Sequence, residues 1–136
     1  MLGERESPPL ERCCVLKKAI PVLHVASSAA AEEFYCRRLG FKQTFAYRPH
    51  AETPDPCYMG LERDGAQLHL SSFSGDGISG GVVFIVADDV DALHDEFISH
   101  GAAIDLPPTE QTWGNREMYL SDPDGNSVRF VRLANG

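Results

Sequence analysis

The sequence repeats one pattern of apolar and turn residues about 60 residues after its first occurrence, and this internal repetition constrains the fold more than any other feature. In each copy an apolar run leads into a helical stretch that ends at a glycine, Gly40 or Gly101. A later Asp-Gly turn places Gly65 or Gly125 before a further apolar strand. The shared register predicts two copies of one module.

The helical stretches carry residues that favour helix ends. Ser28 is predicted to cap the first stretch, because its hydroxyl can accept from the unpaired N–H groups of the first turn. Gly40 is predicted to end that stretch in the left-handed conformation. The second stretch is predicted to begin at Asp88-Asp89. Its apolar residues at helical spacing, which are predicted to face the core, are Val90, Leu93, Phe97 and Ile98.

The remaining segments alternate apolar and polar residues, as half-buried strands do. Each copy therefore has the order β-α-β-β-β, which predicts an α+β fold of two four-stranded antiparallel sheets, each backed by a helix, with a concave face between them. Pro21 predicts that the first strand has a free side or a bulge. The predicted organisation is a flexible leader over 1–17, modules over 18–73 and 82–133, and a Gly/Ser-rich connector over 74–81.

The composition limits the partners. With 20 acidic and 12 basic residues the formal net charge is -8, which argues against a nucleic-acid or membrane partner and is merely compatible with a cationic ligand. No apolar run approaches the roughly 20 residues of a membrane span. The cysteines lack zinc-ligand spacing and predict free thiols in a reducing compartment, the cytoplasm. They are Cys13, Cys14, Cys36 and Cys57.

Three stretches of the chain resemble the vicinal oxygen chelate superfamily, which includes glyoxalase I, extradiol dioxygenases and bleomycin resistance proteins. The stretches are 33–41, which ends in Leu-Gly-Phe, 88–94, and 113–117 followed by the Asp-Pro-Asp-Gly-Asn segment 122–126. The resemblance covers nearly everything except the leader. It implies that the two modules form a curved mixed sheet around a concave cavity. It does not fix the function, because this fold hosts several chemistries.

The resemblance also implies where a metal ion would bind. The family's enzymes hold a divalent ion with His or Glu side chains from the first and fourth strands of each module. The matching positions here are Ile20, His69, Gly81 or Val82, and Arg129. Only His69 could be a ligand, whereas catalytic sites need at least three, and an arginine cation opposes a metal ion. We therefore predict no metal cofactor. The alternative is one divalent ion, such as Zn, Ni, Fe or Mn, held by His69 and unidentified ligands.

The pattern that remains is most similar to the antibiotic-binding branch of this family. Members of that branch are dimers that hold a large basic drug between subunits without chemistry. The resemblance therefore predicts a homodimer that binds a small or medium organic ligand, such as a bleomycin-type cationic antibiotic. The competing hypotheses are a metal-dependent glyoxalase-like lyase or isomerase or a dioxygenase, and a scaffold protein with an empty cavity.

Aromatic residues are the first candidate ligand contacts. Tyr58 and Trp113 match the positions that supply sandwiching rings in the antibiotic-binding branch, and Phe45 lies nearby in sequence. Trp113 could instead anchor its loop, and Phe45 could instead belong to the core. The structure must decide between these alternatives.

Polar residues supply the other candidate contacts. His69 alternates with Leu68 and Leu70 and is predicted to face the cavity together with His24. The two imidazoles could bind a polar group or act as acid and base, or could be hydrogen-bonded interior histidines. Glu117 and Arg129 could pair across the closing strands, or Glu117 could meet a ligand's cation.

Overall fold

The computed structural model describes residues 15–135, so residues 1–14 of the predicted leader, with Cys13 and Cys14, lie outside the described residues. The first repeat contains β1 (Val22–His24), α1 (Ser28–Glu32), a π-helical continuation (Glu33–Arg38), β2 (Lys42–Tyr47), β3 (Tyr58–Arg63) and β4 (Ala66–Ser71). The second contains β5 (Val82–Val86), α2 (Val90–Ser99), β6 (Leu106–Glu110), β7 (Arg116–Ser121) and β8 (Ser127–Arg132). None of the helices within residues 15–135 has the length and apolar character that a membrane crossing requires.

The strands form two four-stranded sheets, with the orders β1-β4-β3-β2 and β5-β8-β7-β6. β1 runs parallel to β4 and β5 runs parallel to β8, while the other pairs are antiparallel. The prediction of fully antiparallel sheets is therefore wrong, and the mixed sheet implied by the family resemblance is confirmed. The reason is topological: the helix carries the chain back so that β2 runs parallel to β1, and the two hairpins then reverse the direction twice, which leaves β4 parallel to β1. Because β1 is an edge strand, the backbone at Pro21 has a free side, as predicted.

The first helix begins one residue earlier than predicted. Ser27, in an extended conformation with φ -129, is the N-cap and its hydroxyl accepts from the Ala30 amide at 3.1 Å. Ser28, the predicted cap, lies inside the helix and is buried. The helix then widens, since the Leu39 amide donates to the Phe34 carbonyl, and it ends at Gly40 with φ 77.

Both modules share one hydrophobic core, to which each sheet contributes the face that its helix covers. In the second module Phe97 of α2 packs on Phe130 of β8, with ring centroids 5.0 Å apart. Tyr35 donates a 2.8 Å hydrogen bond to Asp122 and so joins the two modules inside this core. Burial and the neighbouring carboxylate raise the pKa of Tyr35 far above its usual value. Ile98, predicted to be in the core, is 49% exposed because it lies beside the buried stripe of α2.

The opposite face of each sheet points away from the shared core, and we call it the outer face. Direct strand pairing assigns residues to these faces, because paired residues project to the same side. The outer face of the first sheet carries Val22, His24, Phe45, Tyr47, Tyr58, Gly60, Glu62, His69 and Ser71. The outer face of the second sheet carries Val82, Phe84, Val86, Glu117, Tyr119 and Arg129.

Candidate functional site

Three rings on the outer face of the first sheet form what we call the aromatic cluster, Phe45, Tyr58 and His69. Phe45 and Tyr58 are stacked with centroids 6.2 Å apart, and each lies 5.3 Å from His69 in an edge-on arrangement. Gly60, which pairs with both Phe45 and His69, makes room for this cluster. A Cβ atom at Gly60 would lie 2.3 Å from the Phe45 ring. Because Gly60 has no side chain, the sheet has a shallow depression at this position, and the Phe45 ring fills it.

The aromatic cluster is held in place by a polar contact and remains open to solvent. The Tyr58 hydroxyl and His69 Nδ1 are 2.8 Å apart, which leaves Nε2 of His69 for another partner. Phe45 is 44% exposed, so the alternative that placed it in the core is wrong. Tyr47 extends the exposed aromatic surface by stacking on Phe73 with centroids 6.1 Å apart. This pair was not predicted from the sequence, although Tyr47 alternates with Phe45 along β2.

His24 lies on the same outer face but does not join the aromatic cluster. Its strand neighbour Val22, not His24, is paired with His69. Within residues 15–135 no hydrogen bond joins the two imidazoles, and the buried Nδ1 atom of His24 has no hydrogen-bond partner there. The structure therefore places both imidazoles on one outer face, as diagonal neighbours without a hydrogen bond between them.

On the outer face of the second sheet, side chains gather around a buried carboxylate, and we call this group the Glu117 cluster. Glu117 is only 3% exposed. One of its oxygens accepts from Trp113 Nε1 at 2.9 Å and from Asn115 Nδ2 at 3.2 Å, and the other accepts from the Tyr119 hydroxyl at 2.5 Å. The guanidinium of Arg129 lies 4.4 Å from the centre of the Tyr119 ring. The Trp113 ring is thereby anchored through its nitrogen while 60% of the residue stays exposed.

The predicted direct pair between Glu117 and Arg129 is wrong. The hairpin register places Val131 opposite Glu117 and Tyr119 opposite Arg129, so the two charges are diagonal neighbours on either side of Tyr119. Burial alone would raise the pKa of Glu117. Hydrogen bonds from its partners and the nearby charge of Arg129 outweigh burial and hold that pKa below its usual value. Its oxygens are occupied, so Glu117 serves as an internal acceptor.

Replacing Glu117 with glutamine is expected to destabilise the protein at neutral pH. Glutamine offers one oxygen and presents an NH2 group to existing donors, so the unfolding free energy should fall by about 1–3 kcal/mol. Because the folded-state pKa of Glu117 is lowered, the wild-type contribution is complete above the unfolded pKa and is lost as the pH falls through the folded pKa. Urea unfolding should show the difference shrinking below about pH 4. A difference independent of pH would contradict this assignment.

The residues at the family's metal positions do not fit a divalent ion. They supply one imidazole, His69, and one guanidinium, Arg129, while Ile20 and Val82 have no donor atoms in their side chains. Among residues 15–135, no three His, Cys, Asp or Glu side chains come together as a possible metal site. This donor set can bind polar groups of an organic molecule but lacks the three ligands that a catalytic metal requires.

A separate groove lies between the two modules, and of the outer-face residues named above only Val86 lines it. Its volume is about 460 Å³, and its apolar floor includes Phe41, Leu93 and Phe130. The ion pair of Arg63 with Glu96, with two 2.8 Å contacts, lies in its wall. None of the residues predicted as ligand contacts lines this groove, so it is distinct from the candidate site.

Known proteins share the architecture described above. A family model described as glyoxalase superfamily protein matches residues 10–136. TnmS3, an antibiotic-binding protein from Streptomyces sp. CB03234, is 25% identical; the match covers 87% of this chain and 98% of that one, with a TM-score of 0.64.

Two further solved structures share the fold at 24% identity and a TM-score of 0.69. One is a bleomycin-binding protein complexed with bleomycin, matched over 87% of this chain and 99% of that one. The other is the bleomycin resistance determinant encoded on the transposon Tn5, matched over 86% and 98%. No curated protein sequence matches this chain significantly.

Proposed function

This chain belongs to the glyoxalase superfamily, and we propose that it binds a flat organic ligand between two copies of itself without a metal ion. The observation that carries the proposal is the exposed aromatic cluster of Phe45, Tyr58 and His69. A stacked ring pair contributes about 0.5–1.5 kcal/mol beyond the burial of apolar area, so several rings around one ligand can produce useful affinity. Such binding requires no chemical step.

Two of the named structural neighbours bind antibiotics, which makes a bleomycin-type drug the first molecule to test. The flat part of such a drug suits an exposed surface of stacked rings. The donor set around His69 supports binding rather than metal-dependent lyase or dioxygenase chemistry, because it lacks enough ligands. The cytoplasm remains the predicted compartment, in keeping with the free thiols Cys36 and Cys57.

The second copy is part of the proposal because each outer face supplies only one wall. Val82, Phe84 and Val86 alternate along the edge strand β5 and are all more than half exposed. Contiguous exposed apolar side chains on a soluble protein usually mark an interface, and most such interfaces join identical copies with two-fold symmetry. A two-fold arrangement would turn one copy's aromatic cluster toward the other copy's Glu117 cluster. The groove between them would then have two walls.

The test is titration of the dimeric protein with metal-free bleomycin and with anthracene-2-carboxamide, a neutral flat probe whose fluorescence reports binding. We expect Phe45→Ala to weaken binding of the carboxamide about tenfold, because it removes one stacking ring and the area that ring covers. Prior treatment with EDTA should leave the affinity unchanged, and metal analysis should find less than one ion per subunit.

Ile98→Ala is the matched control, because Ile98 is similarly exposed but lies on α2, away from both outer faces. Its affinity should equal that of the wild type. Binding that disappears with EDTA and returns with a divalent ion would overturn the metal-independent proposal. Equal effects of Phe45→Ala and Ile98→Ala would remove the aromatic cluster from the site.

A further inference from the structure

The carboxylates on the outer faces already have partners. Both oxygens of Glu117 accept hydrogen bonds inside its cluster. Glu62 lies directly opposite Lys42 in the register of β2 and β3, a position from which opposite charges offset each other. Asp76, next to the first sheet, accepts from the Ser71 hydroxyl at 2.7 Å. These groups leave little free negative charge for a cationic ligand.

Arg129, in contrast, is a cation whose side chain is held in place, while some of its N–H donors have no partner within residues 15–135. Its Nε donates to the Ser127 hydroxyl at 3.2 Å, and its guanidinium stacks on Tyr119, which together fix its orientation. No carboxylate within residues 15–135 forms a salt bridge with it, whereas Arg63, Arg116 and Arg132 each have one. The charge of Glu117 is near, but the oxygens of that carboxylate are bonded to other donors.

The surroundings of Arg129 suit an anion attached to a ring. Phe84 is paired with Arg129 across β5 and β8 and is 51% exposed, so an apolar surface lies beside the cation. A guanidinium binds a carboxylate through two parallel hydrogen bonds, with a geometry that an ammonium group cannot reproduce. An aromatic acid in the groove could place its carboxylate on Arg129 and its ring against the aromatic cluster of the facing copy.

We infer that Arg129 selects ligands that carry a carboxylate or a similar oxyanion beside a flat ring system. The inference rests on the proposed ligand groove and names the chemical class of its occupant. It differs from the sequence-based expectation of a cationic drug, which rested on the family resemblance, and from the alternative in which Glu117 meets a ligand's cation. A cationic ligand would instead meet the guanidinium of Arg129, with which no carboxylate of residues 15–135 forms a salt bridge.

The inference is tested with three probes of the same shape, anthracene-2-carboxylate, anthracene-2-carboxamide and anthracene-2-carboxamidine. We expect the wild-type protein to bind the carboxylate about ten- to a hundredfold more tightly than the carboxamide, and the carboxamidine least tightly. Arg129→Gln should abolish the preference for the carboxylate while preserving carboxamide binding. Arg129→Lys should restore only part of the preference, because it keeps the charge but not the paired donors.

Arg132→Gln is the matched control. Arg132 lies on the same strand with the same charge, but it projects to the other face and is paired with Glu110. This variant should keep the full preference for the carboxylate. Equal binding of all three probes, or a preference that survives Arg129→Gln, overturns the inference while leaving the groove in place. If the wild type binds none of the probes, the proposed function fails as well.

Discussion

Replacing Asp122 with alanine is expected to lower the free energy of unfolding by about 3–5 kcal/mol. The carboxylate is buried and accepts four hydrogen bonds. One oxygen accepts from the Asp124 and Asn126 amides, each at 2.9 Å, and the other accepts from Asn126 Nδ2 and the Tyr35 hydroxyl. Alanine leaves the Tyr35 hydroxyl and the Asn126 side chain as buried donors with fewer acceptors, and each unsatisfied donor costs about 1–3 kcal/mol.

The effect of Asp122→Ala should extend beyond the turn between β7 and β8. Asn126, which Asp122 orients, accepts from the Gly80 and Gly81 amides and donates to the His24 carbonyl at 2.9 Å. The same turn therefore connects the start of β5 with the end of β1. Its loss should loosen the junction that sets the two outer faces relative to each other.

Urea unfolding followed by circular dichroism measures this prediction, with Asp105→Ala as the control. Asp105 is an exposed aspartate whose side chain accepts from one hydroxyl, that of Ser121. Its replacement should change the unfolding free energy by less than about 1 kcal/mol. The decrease in unfolding free energy for Tyr35→Phe should lie between those for Asp122→Ala and Asp105→Ala, because this change removes one donor and leaves the other Asp122 contacts intact. If Asp122→Ala and Asp105→Ala have equal effects, the turn does not hold the modules together.

The repeated modules were predictable because each landmark has a local physical cause. Gly40 and Gly101 end helices with φ 77 and 83, and Asp64-Gly65 forms the hairpin turn with positive φ at both residues. Strand direction was not predicted correctly from residue alternation. Alternation reports which face a side chain occupies, but it is the same for a parallel and an antiparallel neighbour. The direction of β1 follows only from counting chain reversals through the whole module.

The candidate site was also predictable in part. Alternation placed His69 on the face opposite Leu68 and Leu70, and the structure finds it beside Phe45 and Tyr58. The internal hydrogen bonds of Glu117 were missed. They depend on how the loop containing Trp113 folds back over β7, and no local pattern in the sequence specifies that contact. The charged group on the outer face that a ligand can reach is therefore Arg129, whereas one expectation from the sequence was Glu117.

Phe84→Ala is expected to weaken dimerisation by about tenfold to a hundredfold. Phe84 is exposed on the edge strand β5 and belongs to the outer face, so its removal should leave the shared core of one copy intact. Full burial of a phenylalanine contributes about 1.5–3 kcal/mol, about half of which is gained on dimerisation because Phe84 is already half buried, and a two-fold interface contains the residue twice. Sedimentation equilibrium over a range of concentrations measures the dissociation constant.

Ile98→Ala removes an apolar side chain of similar exposure from α2 and should leave the dimer unchanged. Phe84→Ala also separates the role of the outer face in dimerisation from its role in ligand contact, because a groove with two walls exists only in the dimer. For Phe84→Ala, binding of anthracene-2-carboxamide should therefore rise with protein concentration in parallel with the dimer fraction, whereas Phe45→Ala should weaken binding at every concentration. A wild-type protein that stays monomeric and still binds the probe would show that one outer face suffices, and the second copy would then have no part in the site.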